Sequence, residues 1–116
     1  MAGDDCIFCR IVSGEVPSDT ILTTDHVVAF RDLHPQAPVH VLVIPRRHVD
    51  NAAALSAEDG EMLADLFMAA RKVAEAEDIA ERGYRLVFNV GDEGGNTVPH
   101  LHLHVVGGRQ MGWPPG

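Results

Sequence analysis

The chain is short of basic residues, of aromatic residues and of long apolar runs. Its 116 residues hold nine Lys and Arg against 17 Asp and Glu, a formal net charge of −8. Binding to duplex nucleic acid depends on clustered Lys and Arg, and so does attraction to an anionic membrane surface. The composition therefore argues against both partners, and without a run of about 18 apolar residues no membrane span is predicted.

Cysteine is also scarce, and a secretion signal is missing from the sequence. Residues 1–5 end in two aspartates and contain no apolar segment of the kind that a signal peptide needs, so we expect a cytoplasmic protein. The two cysteines, Cys6 and Cys9, form a Cys-x-x-Cys pair. Outside secreted proteins such a pair indicates metal binding or redox chemistry more than a structural disulfide. A reduced thiol pair packed on a sheet is the plainer alternative, and a thioredoxin-like role lacks the flanking βαβ pattern.

The length and the hydrophobic pattern predict one domain, spanning residues 1–116. Strands are predicted at 20–24, 27–31, 40–44, 84–90 and 101–106, and a short helix that ends before Gly14. A long helix starts from a cap at Ser56 and runs to about Asp78. Its apolar stripe consists of Met62, Leu63, Leu66, Phe67, Ala70, Val73 and Ala74. The order does not alternate between strand and helix, so we predict an α+β fold with about five mostly antiparallel strands.

Histidine, unlike cysteine and the aromatic residues, is abundant. Of seven in the chain, three alternate at His100, His102 and His104, while His26 and His34 fit turns. In a strand, alternate residues share a face, so the three imidazoles line one side and the intervening apolar residues pack against the long helix. Three surface histidines on a half-exposed strand are the plainer alternative, but crowded polar rings add little stability. Imidazole is a proton carrier, a metal ligand and a nucleophile, which favours a functional role.

A glycine-rich loop precedes the histidines at residues 91–96. Gly94, Gly95 and Asn96 can bring backbone N–H groups close to an anion, and the Thr97 hydroxyl adds a donor. A plain hairpin turn would use the same residue types. The loop is compatible with phosphoryl or nucleotidyl transfer beside the histidines.

The run His100-Leu101-His102-Leu103-His104-Val105-Val106 resembles the signature of the histidine triad (HIT) family of nucleotide hydrolases and transferases. Residues 29–45 and 107–116 resemble its Hint branch, the purine nucleoside phosphoramidases, and the likeness covers the chain from about Cys6 to Gly116. The tail is the more discriminating piece, because dinucleoside polyphosphate hydrolases of the family usually lack it. The resemblance implies a HIT-like fold and a homodimer in which the tail completes the partner's active site.

The resemblance also implies an activity and its residues. The chain would cleave the P–N bond of purine nucleoside 5′-phosphoramidates through a nucleotidyl-histidine intermediate on His102. His104 would contact the same phosphate, with His40 and His100 supporting the triad. The implied nucleotide-binding residues are Ile7, Phe8, Phe30, Asp32, Leu33, Leu42, Asn89, Gly95, Asn96, Thr97, His102, His104 and Trp113. For Asp32 a turn cap before Pro35 is the alternative to a ribose contact, and Phe8 and Phe30 can also be ordinary core.

The same resemblance implies a structural zinc held by Cys6, Cys9, His48 and His100, and no organic cofactor. Pro99 and the sequence Met111-Gly112-Trp113 depart from the animal Hint pattern, which bears on leaving-group preference. Two other functions remain open at this point. One is hydrolysis or transfer on dinucleoside polyphosphates or other nucleotidyl compounds, and the other is non-catalytic nucleotide binding by an interaction protein.

Overall fold

The computed structural model describes residues 6–116 and contains one five-stranded antiparallel sheet in the order β1-β2-β3-β5-β4. Residues 1–5, from which the cytoplasmic location was predicted, lie outside the described residues. The elements are α1 (Ile7–Val12), β1 (Thr20–Thr23), β2 (Val27–Arg31), β3 (Val39–Pro45), α2 (Gly60–Ala76), β4 (Tyr84–Val87) and β5 (Leu103–Gly107), with two short 3₁₀ turns before α2 at Ala52–Ala54 and Ala57–Asp59. This confirms the predicted α+β class.

The strands agree with the prediction to within one residue except at two ends, the start of β5 and the end of β4. β2 covers the predicted residues, but β5 begins at Leu103, two residues late. The partner strand β3 ends at Pro45, and Pro99 precedes the histidines, so two N–H groups that a longer ladder needs are missing. β4 stops at Val87, opposite His104, because β5 offers almost no further strand to pair with.

The long helix is shorter than predicted at both ends. Ser56 caps the 3₁₀ turn that precedes α2, through a capping box with Asp59, and α2 itself starts at Gly60. It ends at Ala76, and Asp78 has a left-handed backbone with φ of 61°. Phe67, placed on the predicted apolar stripe, is instead 41% exposed. None of the helices in the described residues is long and apolar enough to cross a membrane.

The two faces of the sheet carry different layers. On one face α2 packs through Leu66, Ala70 and Val73 onto Leu103 and Val105 of β5. The opposite face holds a second apolar cluster made of Cys6, Phe8, Val28, Phe30, Leu42 and Ile44. The predicted alternation is therefore confirmed, because the leucines between the histidines lie under α2 and the imidazoles lie on the side of α1.

Candidate active site and metal cluster

The side chain of His102, which lies just before β5, is held in one tautomer by the backbone of His100. Its Nδ1 lies 2.7 Å from the carbonyl oxygen of His100, which can only accept a hydrogen bond. Nδ1 therefore carries a proton, and in the neutral ring the lone pair is on Nε2. The ring packs edge-on against Phe8, with centroids 5.2 Å apart, and only 8% of the residue is exposed. A neutral imidazole with one free lone pair in a set orientation is the state that a nucleophile requires.

His40 and His104 form a hydrogen-bonded pair beside it. The backbone N–H of Gln36 donates to His40 Nδ1 at 3.0 Å, so His40 carries its proton on Nε2. That Nε2–H donates to His104 Nδ1 at 2.9 Å. His104 Nε2 must then hold a proton as well. The chain of bonds ends in an N–H donor on a ring that lines the cleft described below.

Both rings of this pair are neutral at physiological pH. Burial, together with the neighbouring His102 and His40, lowers the pKa of His104 to about 4. Burial also lowers the pKa of His40, although the Asp32 carboxylate opposes that shift. The ring nitrogens therefore act as hydrogen-bond donors and acceptors of fixed direction and not as charged groups.

A cleft of about 330 Å³ opens beside His102 and His104, between α1 and the sheet. Phe8, Phe30 and Leu42 form apolar walls, and Ile7 and Leu33 lie at its edge, with Leu33 87% exposed. A larger groove of about 510 Å³ lies near Arg46 and Glu61, but no histidine of the triad lines it. The smaller cleft is the candidate site, because a flat apolar slot next to fixed imidazoles suits a nucleotide base and its phosphate.

Asp32 lies at the polar end of this cleft. Its Oδ1 accepts a hydrogen bond from the backbone N–H of His34 at 2.9 Å, which is the turn-capping role considered for it. Its Oδ2 lies 3.5 Å from His40 Nε2. The turn cap uses only one carboxylate oxygen, and the second is directed to the histidine pair at the cleft. The turn-capping role is therefore compatible with a role in ligand binding.

Four side chains gather at the start of α1. The Sγ atoms of Cys6 and Cys9 and one nitrogen each of His48 and His100 lie within 4.8 Å of one another. Cys6 Sγ is 3.2 Å and Cys9 Sγ is 3.5 Å from His100 Nδ1, and Cys9 Sγ is 3.3 Å from His48 Nδ1. Tetrahedral zinc with sulfur and nitrogen ligands requires such separations to be about 3.6 Å.

The outer nitrogens of both histidines orient the inner ones toward the cluster. His100 Nε2 lies 3.0 Å from the carbonyl oxygen of Pro45, and His48 Nε2 lies 2.9 Å from Asp50 Oδ1. Each outer nitrogen donates, so each Nδ1 presents a lone pair to the cysteines. Burial raises the pKa of the Cys6 thiol, a cost that a cation would remove by favouring the thiolate. The donor set and its outer partners therefore fit a tetrahedral metal.

A second group of potential ligands, Asp32, His40 and His104, does not fit a metal. A cation at His40 Nε2 needs a lone pair there. The Gln36 N–H already occupies the lone pair of Nδ1, so Nε2 of the neutral ring holds the proton. This group is a hydrogen-bond relay.

Comparison with known proteins identifies the family. The HIT domain model matches residues 13–111 of the chain. The chain belongs to the HIT family. It is 45% identical over 113 residues to an uncharacterized HIT-like protein of Synechococcus elongatus, covering 97% of this chain and 98% of that protein. It is 44% identical over 109 residues to the purine nucleoside phosphoramidase of Escherichia coli, covering 94% and 92%.

Solved HIT structures share the fold throughout. A HIT family hydrolase from Legionella pneumophila superposes with a TM-score of 0.94 at 49% identity, covering 96% of this chain and 99% of its own. A HIT family hydrolase from Clostridium thermocellum gives 0.93 at 44% identity, covering 96% of both chains. These relatives confirm the HIT-like fold and support an enzyme.

The structure brings most of the predicted HIT site residues to the cleft, but not all. The cleft is lined by Ile7, Phe8, Phe30, Asp32, Leu33, Leu42, Thr97, His102 and His104. His40 does not line the cleft but is hydrogen-bonded to His104, which does. His100 acts through its carbonyl oxygen, which accepts a hydrogen bond from His102. Asn89, Gly95, Asn96 and Trp113 do not line this cleft within one chain.

The glycine-rich loop uses two of its amides internally. Gly95 N–H donates to Asp92 O at 3.0 Å, and Asn96 N–H donates to Gly91 O at 3.1 Å. The plain-turn alternative therefore describes these two amides, which are engaged within the loop and do not point freely at an anion. The side chain of Asn89 donates to Gly94 O at 2.7 Å and so braces the loop. Thr97 is the residue of this segment that lies in the cleft.

Sequence reasoning missed several groups that shape the HIT site. The Gln36 amide and the Pro45 carbonyl are backbone atoms, and no residue type indicates their role. Asp50 had a readable signal, since a carboxylate two residues after a candidate ligand is a common outer partner for histidine. His34, interpreted as a turn residue, lies in a bend and also lines the cleft.

Proposed function

We propose that the chain hydrolyses the P–N bond of purine nucleoside 5′-phosphoramidates through a nucleotidyl-histidine intermediate. The observation that carries the proposal is the fixed tautomer of His102, whose Nε2 lone pair belongs to a ring lining an apolar cleft. The likeness to the Escherichia coli purine nucleoside phosphoramidase supports the substrate class. The activity is that of a hydrolase acting on a small nucleotide, which an acidic chain can bind without Lys or Arg.

The reaction proceeds in two displacements at phosphorus. His102 Nε2 attacks the α-phosphorus, the P–N bond breaks, and the nitrogen leaves as the amine with a proton from water. A second water then attacks the same phosphorus and gives a proton to the hydroxide left by the first step, and the N–P bond breaks to release the nucleoside monophosphate and the neutral His102 ring. The His100 carbonyl holds the Nδ1 proton throughout and stabilises the positive charge that the ring gains while it carries phosphorus.

Neighbouring donors stabilise the charge on the phosphoryl oxygens. His104 presents its Nε2–H, because its Nδ1 accepts from His40. Thr97 adds a hydroxyl from the end of the glycine-rich loop. Such prepositioned donors contribute most when the charge develops in a site that excludes water.

The rest of the nucleotide is held by the apolar slot and by Asp32. Phe8 and Phe30 pack edge-on at 5.6 Å and leave a flat opening beside Leu42. A purine fits such an opening by stacking and apolar contact. The Asp32 carboxylate accepts hydrogen bonds from the ribose hydroxyls.

Zinc is the metal proposed for the cluster of Cys6, Cys9, His48 and His100. Its role is structural, because four protein ligands close the coordination sphere. Through these ligands it joins the start of α1 to the histidine run. His100 is shared by both parts of the site, since its ring faces the cysteines and its carbonyl holds His102.

A second copy of the chain completes the site in this proposal. β4 is an edge strand, and exposed apolar side chains lie on it or near it at Phe67, which packs on Phe88, and at Leu86 and Val90. Unpaired edges and exposed apolar surface of this kind are typical of an interface. Trp113, in the C-terminal tail, is 83% exposed and would reach the partner's cleft.

The direct test is AMP release from adenosine 5′-phosphoramidate. We expect turnover by the wild type and its loss in His102→Ala, with His26→Ala as the matched control because His26 is exposed in a turn. Equal rates for wild type and His102→Ala would overturn the assigned nucleophile. A panel of other AMP-linked compounds, including dinucleoside polyphosphates, separates substrate classes. Faster turnover of a polyphosphate, or tight AMP binding with no turnover at all, would contradict the phosphoramidase assignment.

A further inference from the structure

The C-terminal tail contacts the loop that carries the Gln36 amide. Arg109 donates from Nη2 and Nε to the Gln36 carbonyl oxygen, at 3.0 and 3.3 Å. The preceding Gly108 has φ of +91°, and a Cβ there would lie 2.9 Å from Pro38 Cβ. The tail and the loop are therefore in close contact, and the Arg109 guanidinium donates two hydrogen bonds to the Gln36 carbonyl oxygen.

This loop is otherwise exposed and held by short-range bonds. Residues 33–36 are all exposed. Within the loop, Asp32 accepts from the His34 amide and the Gln36 side chain donates to the His34 carbonyl. The Gln36 amide reaches out of the loop to His40. A long-range contact at the Gln36 carbonyl therefore helps to hold in place the residue whose amide sets the His40 tautomer.

We infer that Arg109 is a positioning residue for the reaction, acting through Gln36 and His40 to keep the Nε2–H of His104 available to the phosphate. This inference rests on the proposed function for its effect on rate, but not for its effect on the histidines. The order of contacts is Arg109 to the Gln36 carbonyl, the Gln36 amide to His40 Nδ1, and His40 Nε2 to His104 Nδ1.

Loss of the Gln36 contact changes which nitrogens carry protons. Without the Gln36 N–H, His40 is free to hold its proton on Nδ1 and to present a lone pair at Nε2. His104 Nδ1 must then donate to that lone pair, so the His104 proton leaves Nε2. The net charge is unchanged, but the phosphate loses a donor and faces a lone pair instead. Both rings are neutral, so the two arrangements differ in the direction of the bonds and in whether His40 Nε2 presents a proton or a lone pair to the Asp32 carboxylate 3.5 Å away.

The first test reads the tautomers directly. In full-length protein with ¹⁵N-labelled histidine, two-bond proton–nitrogen spectra distinguish a protonated ring nitrogen from an unprotonated one by its shift. The wild type is expected to hold protons on Nε2 of both His40 and His104. In Arg109→Ala both Nδ1 signals move toward the protonated position, and in Arg109→Lys they stay close to the wild type because one donor remains.

A matched control separates this effect from a general loosening of the tail. Arg85 also donates to a tail carbonyl, that of Gly112, at 2.8 Å, and among the described residues no hydrogen bond joins its side chain to the loop. Arg85→Ala should leave both tautomers unchanged. Gln36→Ala should do the same, because it removes the side chain and keeps the backbone amide and carbonyl.

The second test measures turnover of adenosine 5′-phosphoramidate. In Arg109→Ala, kcat should fall about tenfold with KM within about twofold, less than the roughly 100-fold loss that follows when an oxyanion donor is deleted outright. If the tautomers of His40 and His104 are unchanged in Arg109→Ala, the inference is wrong, whatever the turnover rate of that variant. If the tautomers respond but the wild type turns over no phosphoramidate, the positioning role stands and the proposed function fails.

Discussion

At the scale of residues, the site depends on which nitrogen of each imidazole carries the proton. Backbone atoms make that choice, since the His100 carbonyl orients His102 and the Gln36 amide orients His40. The alternation of histidines was readable from the sequence because a strand places alternate residues on one face. Their tautomers were not, because the backbone groups that set them come from a turn and a distant loop with no distinctive residue type.

The low pKa of His104 predicts a pH dependence of stability. Its pKa is about 4 in the folded chain against an ordinary 6.5. Between these values the unfolded chain binds a proton that the folded chain does not, so stability is full above pH 6.5 and falls as the pH is lowered toward 4. His104→Asn should therefore lose about 1–2 kcal/mol less than the wild type between pH 7.5 and 5. Urea unfolding at both pH values checks this, and equal losses in the two proteins would contradict it.

At the scale of elements, short segments are fixed by contacts from outside them. α1 has only six residues, too few to be stable alone, yet Cys6 and Cys9 join it to His48 and His100. The sequence predicted this helix and β2 well, since their apolar spacing is local. The sequence-based prediction started β5 two residues too early, because the missing N–H donors at Pro45 and Pro99 limit the pairing of two strands at once. It also placed Phe67 on the buried face of α2, whereas that side chain is exposed.

The metal cluster predicts a stability linked to zinc. Cys9→Ser removes one of four ligands, so we expect zinc content to fall from about one per chain to near zero. The thermal midpoint should drop by about 10 °C, corresponding to about 3 kcal/mol for a chain of this size. Elemental analysis and thermal unfolding measure both quantities.

A chelator provides the matched control for that variant. It should lower the midpoint of the wild type to a similar degree and leave Cys9→Ser almost unchanged, because that variant has no zinc to lose. Wild-type protein that is purified reduced, supplied with zinc and still holds none would contradict the proposal.

At the scale of the whole molecule, one chain leaves part of the predicted site outside its cleft. Asn89 braces a loop, and Trp113 projects from the tail with 83% of its surface exposed. The role of the C-terminal tail could be predicted only from the family resemblance. In the proposed dimer its contacts are with residues of another copy, which local sequence patterns do not reveal. The exposed side chains near β4 are the physical reason to expect that copy.

Dimerisation is tested by mass in solution. We expect light scattering to give twice the 12.5 kDa of the chain. Phe67→Asp should shift the protein toward monomer by placing a charge on the exposed apolar surface. Ala57→Asp, at an exposed position in the turn before α2, is the control and should stay dimeric. A wild type that is monomeric at every concentration would contradict the proposal.

The central claim is that phosphorus is transferred to His102 before it is transferred to water. The most direct measurement is the stereochemistry at phosphorus when a P-chiral adenosine 5′-phosphorothioamidate is hydrolysed in ¹⁸O-labelled water. Each in-line displacement inverts the configuration, so two displacements through His102 predict retention in the released adenosine phosphorothioate. Inversion would mean that water attacks directly, and it would contradict the nucleotidyl-histidine mechanism.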